Sequence, residues 1–247
     1  MRYLGVSLVL LLAFVPAVFG LIDLDEPEVI RIAIYRGPAA CEGCAEAIQD
    51  AIERLGPAYQ AEFVGPAERR DISSTTLQRY EAYVQPGGGQ DIPAALSSLG
   101  KDRIAAIRAY VAQGGQYLGI CMGAYLADAD NLGLLDAELD SEVGRPGFPV
   151  TSIDDSAVLM RWGDSEDHLF FQDGPYLPAR SGNGFRVIGK YGNGDIAAAR
   201  YRFGAGVLVL SGPHPEADES WFQEAGLPRR LLPRGEPFKI LFDALDL

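Results

Sequence analysis

The chain has 247 residues and a formal net charge of −13, with 34 acidic residues against 21 basic ones. Such acidity, with no basic cluster beyond Arg229-Arg230, argues against nucleic acid or an anionic lipid surface as a partner. The length suits one sizeable α/β domain.

The first twenty residues have the pattern of a secretory signal peptide. A basic start precedes the almost wholly apolar run 4–15, and small residues then offer cleavage after Ala17 or after Gly20. The apolar run is shorter than the roughly 20 residues of a membrane span, although an uncleaved N-terminal anchor is the alternative. We therefore expect residues 1–20 to be removed and residues 21–247 to form a single domain that has no contact with the membrane. The protein is expected to be secreted or extracytoplasmic, in the periplasm or at the cell surface.

The first half of the remaining chain alternates strand and helix patterns. In chain order, the predicted elements are a strand over 28–35, a helix over 45–55, a strand over 59–64, a run 77–84 that ends in a strand, a helix over 102–113 and a strand over 117–120. Strands separated by helices favour parallel pairing through right-handed crossovers. This order predicts a flavodoxin-like, doubly wound, mostly parallel α/β sheet, with ligands beyond the carboxyl ends of its strands.

The second half has a different pattern, in which strand-like runs follow one another closely. They lie at 157–162, 168–172, 185–191, 196–203 and 207–211. Glycine-rich turns at 192–194 and 204–206 are typical of a meander of hairpins. We therefore predict an antiparallel extension of the same domain, closed by a helix over 238–247.

Cys121 directly follows an apolar strand, in the segment Leu118-Gly119-Ile120-Cys121-Met122-Gly123-Ala124-Tyr125. Small residues at 123 and 124 would let a following helix approach the sheet closely, as a strand–nucleophile–helix elbow requires. At the start of that helix, the positive end of the helix dipole favours the reactive thiolate. A buried structural cysteine is the alternative interpretation.

A nucleophilic thiol needs a base, and the base needs a group that orients it. His214 and Glu216 follow a strand together and could fill these two roles. The other histidine of the chain, His168, lies within a strand-like run and is predicted to have no catalytic role.

A third motif, Pro86-Gly87-Gly88-Gly89, follows another strand. Glycine backbone N–H groups at Gly87 and Gly88, with the N–H of Met122, could hold an oxyanion. An ordinary glycine-rich turn is the alternative.

Cys41 and Cys44 are close in sequence and leave Cys121 as the third cysteine of the chain. Three interpretations of this pair stay open: a local disulfide, which suits an exported protein, a redox-active pair at the start of the helix over 45–55, or a metal site, which no second Cys/His pair supports. Because the pair follows the first strand, we expect it at the same sheet edge as Cys121, where it could exchange with that thiol or shield it.

These motifs, in this order, resemble the class I glutamine amidotransferase-like superfamily. More narrowly, they resemble the amidotransferase-like N-terminal domain of eukaryotic biotin–protein ligases, to whose first strand and loop the segment Ile34 to Pro38 is also similar. The resemblance implies that its triad and oxyanion region map onto Cys121, His214 and Glu216 and onto Gly87, Gly88 and Met122, respectively. The chain departs from the family pattern, because it contains neither a ligase catalytic portion nor an ammonia-accepting domain.

The main functional hypothesis is an exported, cysteine-dependent hydrolase that cleaves a C–N bond in a small amide or peptide substrate. One alternative is a non-catalytic domain that keeps the superfamily pocket and binds a small molecule or a partner. The other is a thiol-based redox or detoxification protein centred on Cys121. No motif indicates a nucleotide, haem or metal cofactor, and the oligomeric state is not encoded in a recognisable pattern.

Overall fold

A computed structural model describes residues 29–162 and 165–247. The predicted signal peptide, residues 1–20, lies outside the described residues. Within those ranges the strands are β1 Ile30–Tyr35, β2 Tyr59–Val64, β3 Ala82–Gln85, β4 Gln116–Ile120, β5 Asp140–Ser141, β6 Ser156–Trp162, β7 Ser165–Phe171, β8 Pro175–Tyr176, β9 Arg186–Tyr191, β10 Ile196–Phe203 and β11 Gly206–Ser211. The helices of the same ranges are α1 Cys44–Leu55, α2 Ser74–Leu77, α3 Ile92–Ala112, α4 Met122–Leu126, α5 Glu219–Glu224 and α6 Pro237–Phe242, with a 3-10 turn at Arg229–Leu231.

Nine of the described strands form one sheet in the order β2-β1-β3-β4-β11-β10-β9-β6-β7. The first five strands in this order are mutually parallel. Their order corresponds to the flavodoxin-like arrangement, in which the first two strands exchange places relative to the chain. The predicted doubly wound, mostly parallel sheet is therefore confirmed.

The remaining strands of the sheet, β10, β9, β6 and β7, are antiparallel to their neighbours, as the predicted extension requires. One assignment needs correction, because β11 was predicted only as the last strand of the meander. It also pairs in parallel with β4, from Val207 opposite Gln116 to Ser211 opposite Ile120. Every residue of β11 is buried, which suits a central strand covered on both faces.

The two faces of the sheet carry separate apolar cores. Ile32 and Ile34 of β1 pack with α1 and α6 on one face. Ala33 and Tyr35, the alternate residues of the same strand, pack with α3 on the other face. This alternation follows from the two-residue period of a strand, and it places helices on both sides of the parallel half.

Several predicted helix and strand boundaries differ from the structure. α3 starts at Ile92, ten residues before the predicted helix over 102–113, and it is interrupted at Gly100, whose φ is 72°. The early start is fixed by Asp91, whose side chain accepts from the backbone N–H of Ala94. The run 77–84 begins with the end of α2 before its strand, and α6 is shorter than the predicted helix over 238–247. Across the residues that the structure describes, no helix has the length and apolarity needed to cross a bilayer.

Candidate active site

Cys121 occupies a sharp turn between β4 and α4. Its φ of 50° and ψ of −110° lie outside the regions that a non-glycine residue adopts without strain. The backbone N–H of Cys121 donates to the carbonyl of Ser211 at 2.8 Å, which continues the pairing of β4 with β11. The side chain is 5% exposed and follows the carboxyl end of a central parallel strand, where the sequence predicts it.

Small residues around this turn allow α4 to lie directly against the sheet. A Cβ at Gly123 would clash with the backbone carbonyl of Gln85, and a Cβ at Gly119 would clash with that of Gly123. The hydroxyl of buried Tyr117 donates to the Gly123 carbonyl at 2.7 Å. The glycines and this hydrogen bond therefore hold the strained turn in place.

His214 and Glu216 lie in the segment that directly follows β11, the strand next to β4. Nδ1 of His214 and Oε1 of Glu216 are 2.8 Å apart, and both residues are buried. The backbone N–H of His214 donates to the carbonyl of Phe170 at 2.8 Å. The imidazole also contacts two aromatic rings, with centroids 5.9 Å from Phe170 and 5.2 Å from Trp221. These contacts fix the ring in one orientation.

The charge state of His214 is set by competing effects. Burial lowers the pKa of His214, but the negative charges of Glu216 and of the neighbouring Cys121 sulfur together outweigh it and raise the pKa to about 10. At neutral pH the imidazole is therefore protonated, and it lies between the Glu216 carboxylate and the Cys121 sulfur. A protonated imidazole in this position stabilises a thiolate beside it.

The thiol of Cys121 also has a neighbour that the sequence did not reveal. Its Sγ donates to the backbone carbonyl of Gln172 at 3.3 Å. Gln172 follows β7, the edge strand of the antiparallel extension. The extension therefore supplies one wall of the site.

Asp173 continues this wall in a strained backbone conformation, and two hydrogen bonds hold it there. Its φ is 51°, one of two positive values found at non-glycine positions among the described residues. The Ser141 hydroxyl donates to its carboxylate, and the Tyr125 hydroxyl donates to its backbone carbonyl at 3.1 Å. The only sequence signal was the Asp173-Gly174 pair after a strand-like run, which is typical of a turn and names no role.

The glycine loop that follows β3 lies against the same residues. A Cβ at Gly87 would come within 2.5 Å of Cε1 of His214, and a Cβ at Gly88 would clash with the Met122 side chain. The structure thus brings Gly87, Gly88 and Met122 together beside the Cys121–His214 pair. Their role as oxyanion donors stays a prediction.

Cys41 and Cys44 form a disulfide with a Cα–Cα distance of 5.3 Å, and Cys121 is the free cysteine. The backbone N–H of Cys41 donates to the Gly87 carbonyl at 3.0 Å, so the disulfide lies at the predicted sheet edge. In the part of the chain that the structure describes, no three Cys, His, Asp or Glu side chains are grouped as metal ligands. Exchange of this disulfide with Cys121 stays a hypothesis. His168 is half-buried on β7, opposite Leu159.

Comparison with known proteins agrees with this geometry. Residues 30–132, which include the strained turn at Cys121, match the family model described as biotin-protein ligase, N terminal. The predicted family resemblance is confirmed. The biotin–protein ligase of Schizosaccharomyces pombe is 27% identical over 219 residues, with 76% of this chain and 33% of that protein covered. The chain thus spans about a third of the length of the curated relative it matches.

Two solved structures share the fold. A chain of PurLQS from Thermotoga maritima superposes with a TM-score of 0.59 at 17% identity, covering 87% of this chain and 97% of that one. A putative GMP synthase subunit from Thermoplasma acidophilum gives a TM-score of 0.54 at 14% identity, covering 87% and 94%. At these identities the likeness concerns the fold alone.

Proposed function

We propose that this protein is an exported, cysteine-dependent hydrolase that cleaves a C–N bond in a small amide or peptide, and that residues 21–247 form its single domain. The observation that carries the proposal is the buried His214, whose ring is hydrogen-bonded to Glu216 and borders the sulfur of a strained Cys121. A nucleophile, a base and a group that orients the base are the parts that such a reaction needs.

In the first half-reaction, Cys121 reacts as a thiolate beside the protonated imidazole of His214, and its sulfur attacks the amide carbonyl carbon. The tetrahedral intermediate carries its negative charge on oxygen, where the backbone N–H groups of Gly88 and Met122 would hold it. The C–N bond then breaks as His214 donates its proton to the leaving nitrogen. The products of this step are a free amine and a thioester on Cys121.

In the second half-reaction, water hydrolyses the thioester: its hydroxyl group adds to the acyl carbon and its proton goes to His214. His214 takes a proton from the water while the oxygen attacks the thioester carbonyl carbon. The C–S bond breaks, the carboxylic acid leaves, and the thiolate beside a protonated His214 is restored. Glu216 keeps the imidazole in one orientation and compensates its positive charge throughout both steps.

A second candidate is a non-catalytic binding domain, and one observation favours it. Cys121 is 5% exposed, and its thiol donates to the Gln172 carbonyl at 3.3 Å, so its sulfur has a hydrogen-bond partner other than His214. For catalysis the sulfur must give up the proton of that hydrogen bond and attack as a thiolate. The two candidates therefore differ in how strongly His214 activates the thiol.

Alkylation of Cys121 by iodoacetamide, followed by intact-mass spectrometry without reductant, tests this difference. If His214 activates the thiol, His214→Ala should slow labelling near pH 7 by about tenfold or more. His168→Ala is the matched control, since that imidazole lies half-buried on β7, and it should label like the wild type. Equal and slow labelling of all three proteins would overturn the hydrolase proposal and leave the binding domain.

The export proposal has its own test. Expression in a host with a secretory pathway, followed by N-terminal sequencing of the protein outside the cytoplasm, should give a chain that begins at Val18 or Leu21. Protein that stays in the cytoplasm with Met1 intact would contradict export. Protein that is exported with Met1 intact would indicate the uncleaved anchor instead.

A further inference from the structure

The cavity above Cys121 is small, and its charged lining is acidic. It has a volume of about 230 Å³ and is bordered by the nucleophile, the glycine loop and the Gln172–Asp173 wall. The charged side chains among its described lining residues are Asp140 and Asp173, and no lysine or arginine is among them. Because Asp173 accepts from the Ser141 hydroxyl, its carboxylate is held at the wall.

A wider groove, of about 570 Å³, adjoins this cavity at Gln172, which lines both. The disulfide borders the groove, and six carboxylates line it: Glu42, Glu46, Asp50, Asp155, Asp218 and Glu224. Among the described residues, only Glu46 of these six has an ion-pair partner, Arg36 at 3.0 Å. The rings of Phe170 and Trp221 also face the groove, and aromatic faces attract cations.

The geometry points to a substrate class: we infer that this site takes an amide with a positive charge close to the scissile bond, such as a basic peptide. That the substrate is an amide, cleaved at its C–N bond, rests on the proposed function. The small cavity has room for about one side chain or aminoacyl group, since pockets for drug-sized ligands start at roughly 300 Å³. The remaining part of the substrate would lie along the acidic groove. A free amino acid would bring its carboxylate into a cavity whose described lining residues include no lysine or arginine to receive it.

Charge selectivity at Cys121 is measurable with three iodoalkyl reagents of different charge: iodoacetate, iodoacetamide and an iodoacetamide that carries a trimethylammonium group. In each reaction the sulfur forms a C–S bond and iodide leaves. For each reagent, the rate with Cys121 is divided by its rate with 2-mercaptoethanol. This ratio removes the differences in intrinsic reactivity between the three reagents. A unit charge about 4 Å from the reacting group changes a rate by about fivefold even in water. We expect the cationic reagent to react at least about fivefold faster than iodoacetate, and 1 M salt to reduce the difference.

Substitutions of the two carboxylates that line the small cavity test whether they cause this charge selectivity. Asp173→Asn keeps the size of the side chain and should bring the cation-to-anion rate ratio down by about fivefold. Asp140→Asn provides a second test at an exposed position, in case the first substitution disturbs the turn. Asp102→Asn is the matched control, because that exposed carboxylate on α3 lines neither cavity. Its ratio should equal that of the wild type.

The two proposals fail in different ways. A rate ratio near one in the wild type, or a ratio that the wall variants leave unchanged, would overturn the inferred substrate class. The hydrolase proposal depends instead on the effect of His214→Ala on labelling by neutral iodoacetamide. If that effect is present and the charge ratio is absent, the hydrolase proposal stands with a substrate of another class.

Discussion

The pairing of His214 with Glu216 makes a quantitative prediction about stability and pH. Replacing Glu216 by glutamine keeps the size of the side chain and leaves an oxygen for the imidazole N–H, but it removes the negative charge 2.8 Å from the ring. Because both side chains are buried, solvent cannot replace that charge. The variant tests how much the charge contributes to the folded state.

The direction in which this stability changes with pH follows from the direction of the pKa change of His214. The pKa of His214 rises from 6.5 to about 10 on folding, so the folded state binds its proton more tightly than the unfolded state does. The resulting stability is fully present below pH 6.5 and is lost as the pH rises towards 10. The full shift would correspond to about 5 kcal/mol, and breaking a buried ion pair costs about 3–5 kcal/mol. We therefore expect Glu216→Gln to lower the free energy of unfolding by about 3 kcal/mol near pH 6 and by less than about 1 kcal/mol near pH 10.

Urea unfolding without reductant, followed by tryptophan fluorescence, measures this difference. Trp221 is a suitable reporter because its ring contacts the imidazole of His214. The quantity compared is the difference between variant and wild type at each pH, which cancels the titration of the other carboxylates. Asp102→Asn is the control for the loss of one carboxylate and should give no pH-dependent difference. A penalty for Glu216→Gln of equal size at pH 6 and pH 10 would refute the charge-based reasoning.

Three further predictions concern the elements that support the site, and urea unfolding measures each of them. Gly123→Ala should lower the free energy of unfolding by about 1–3 kcal/mol, because the added methyl group would meet the backbone of the sheet. Gly89→Ala is the control, since it adds a methyl group in open space and should be nearly neutral. Equal costs for the two variants would contradict the close packing of α4 against the sheet. Tyr117→Phe should cost about 1–2 kcal/mol, because it leaves the buried Gly123 carbonyl without its donor, and an unchanged midpoint would show that this hydrogen bond is dispensable. Replacing both disulfide-bonded cysteines by serine should cost about 2 kcal/mol, the entropy expected for so short a loop, and reductant should then have no further effect on the midpoint.

Much of the parallel half was predictable because its signals are local. The strand β2 begins and ends at the predicted residues, and α1 and β4 begin one residue before theirs. The turn at Cys121 was also predictable, since an apolar strand, a cysteine and two small residues are adjacent in sequence. His214 and Glu216 could be chosen as its partners because the chain has only two histidines.

Features that depend on contacts between distant segments could not be predicted in the same way. The parallel pairing of β11 with β4 joins residues about ninety positions apart, and the pattern of β11 alone fits either direction of pairing. The wall at Gln172 and Asp173 depends on the path of the sheet, which brings the end of β7 back to Cys121. The helical stretch before Gly100 was missed although Asp91 and Pro93 are typical signals of a helix start.

Because the sheet curves, segments from its centre and from its edge meet beside Cys121. β7 is the last strand in sheet order, yet Phe170 forms a β-bridge with His214, just beyond the end of β11. Cys121 and His214 therefore follow neighbouring central strands, whereas Gln172 and Asp173, which line the cavity above Cys121, follow the peripheral strand β7. Sequence changes after β7 could alter the lining of that cavity while β4 and β11 stay as they are. The lining of the cavity and the turn that holds Cys121 can thus change independently of each other.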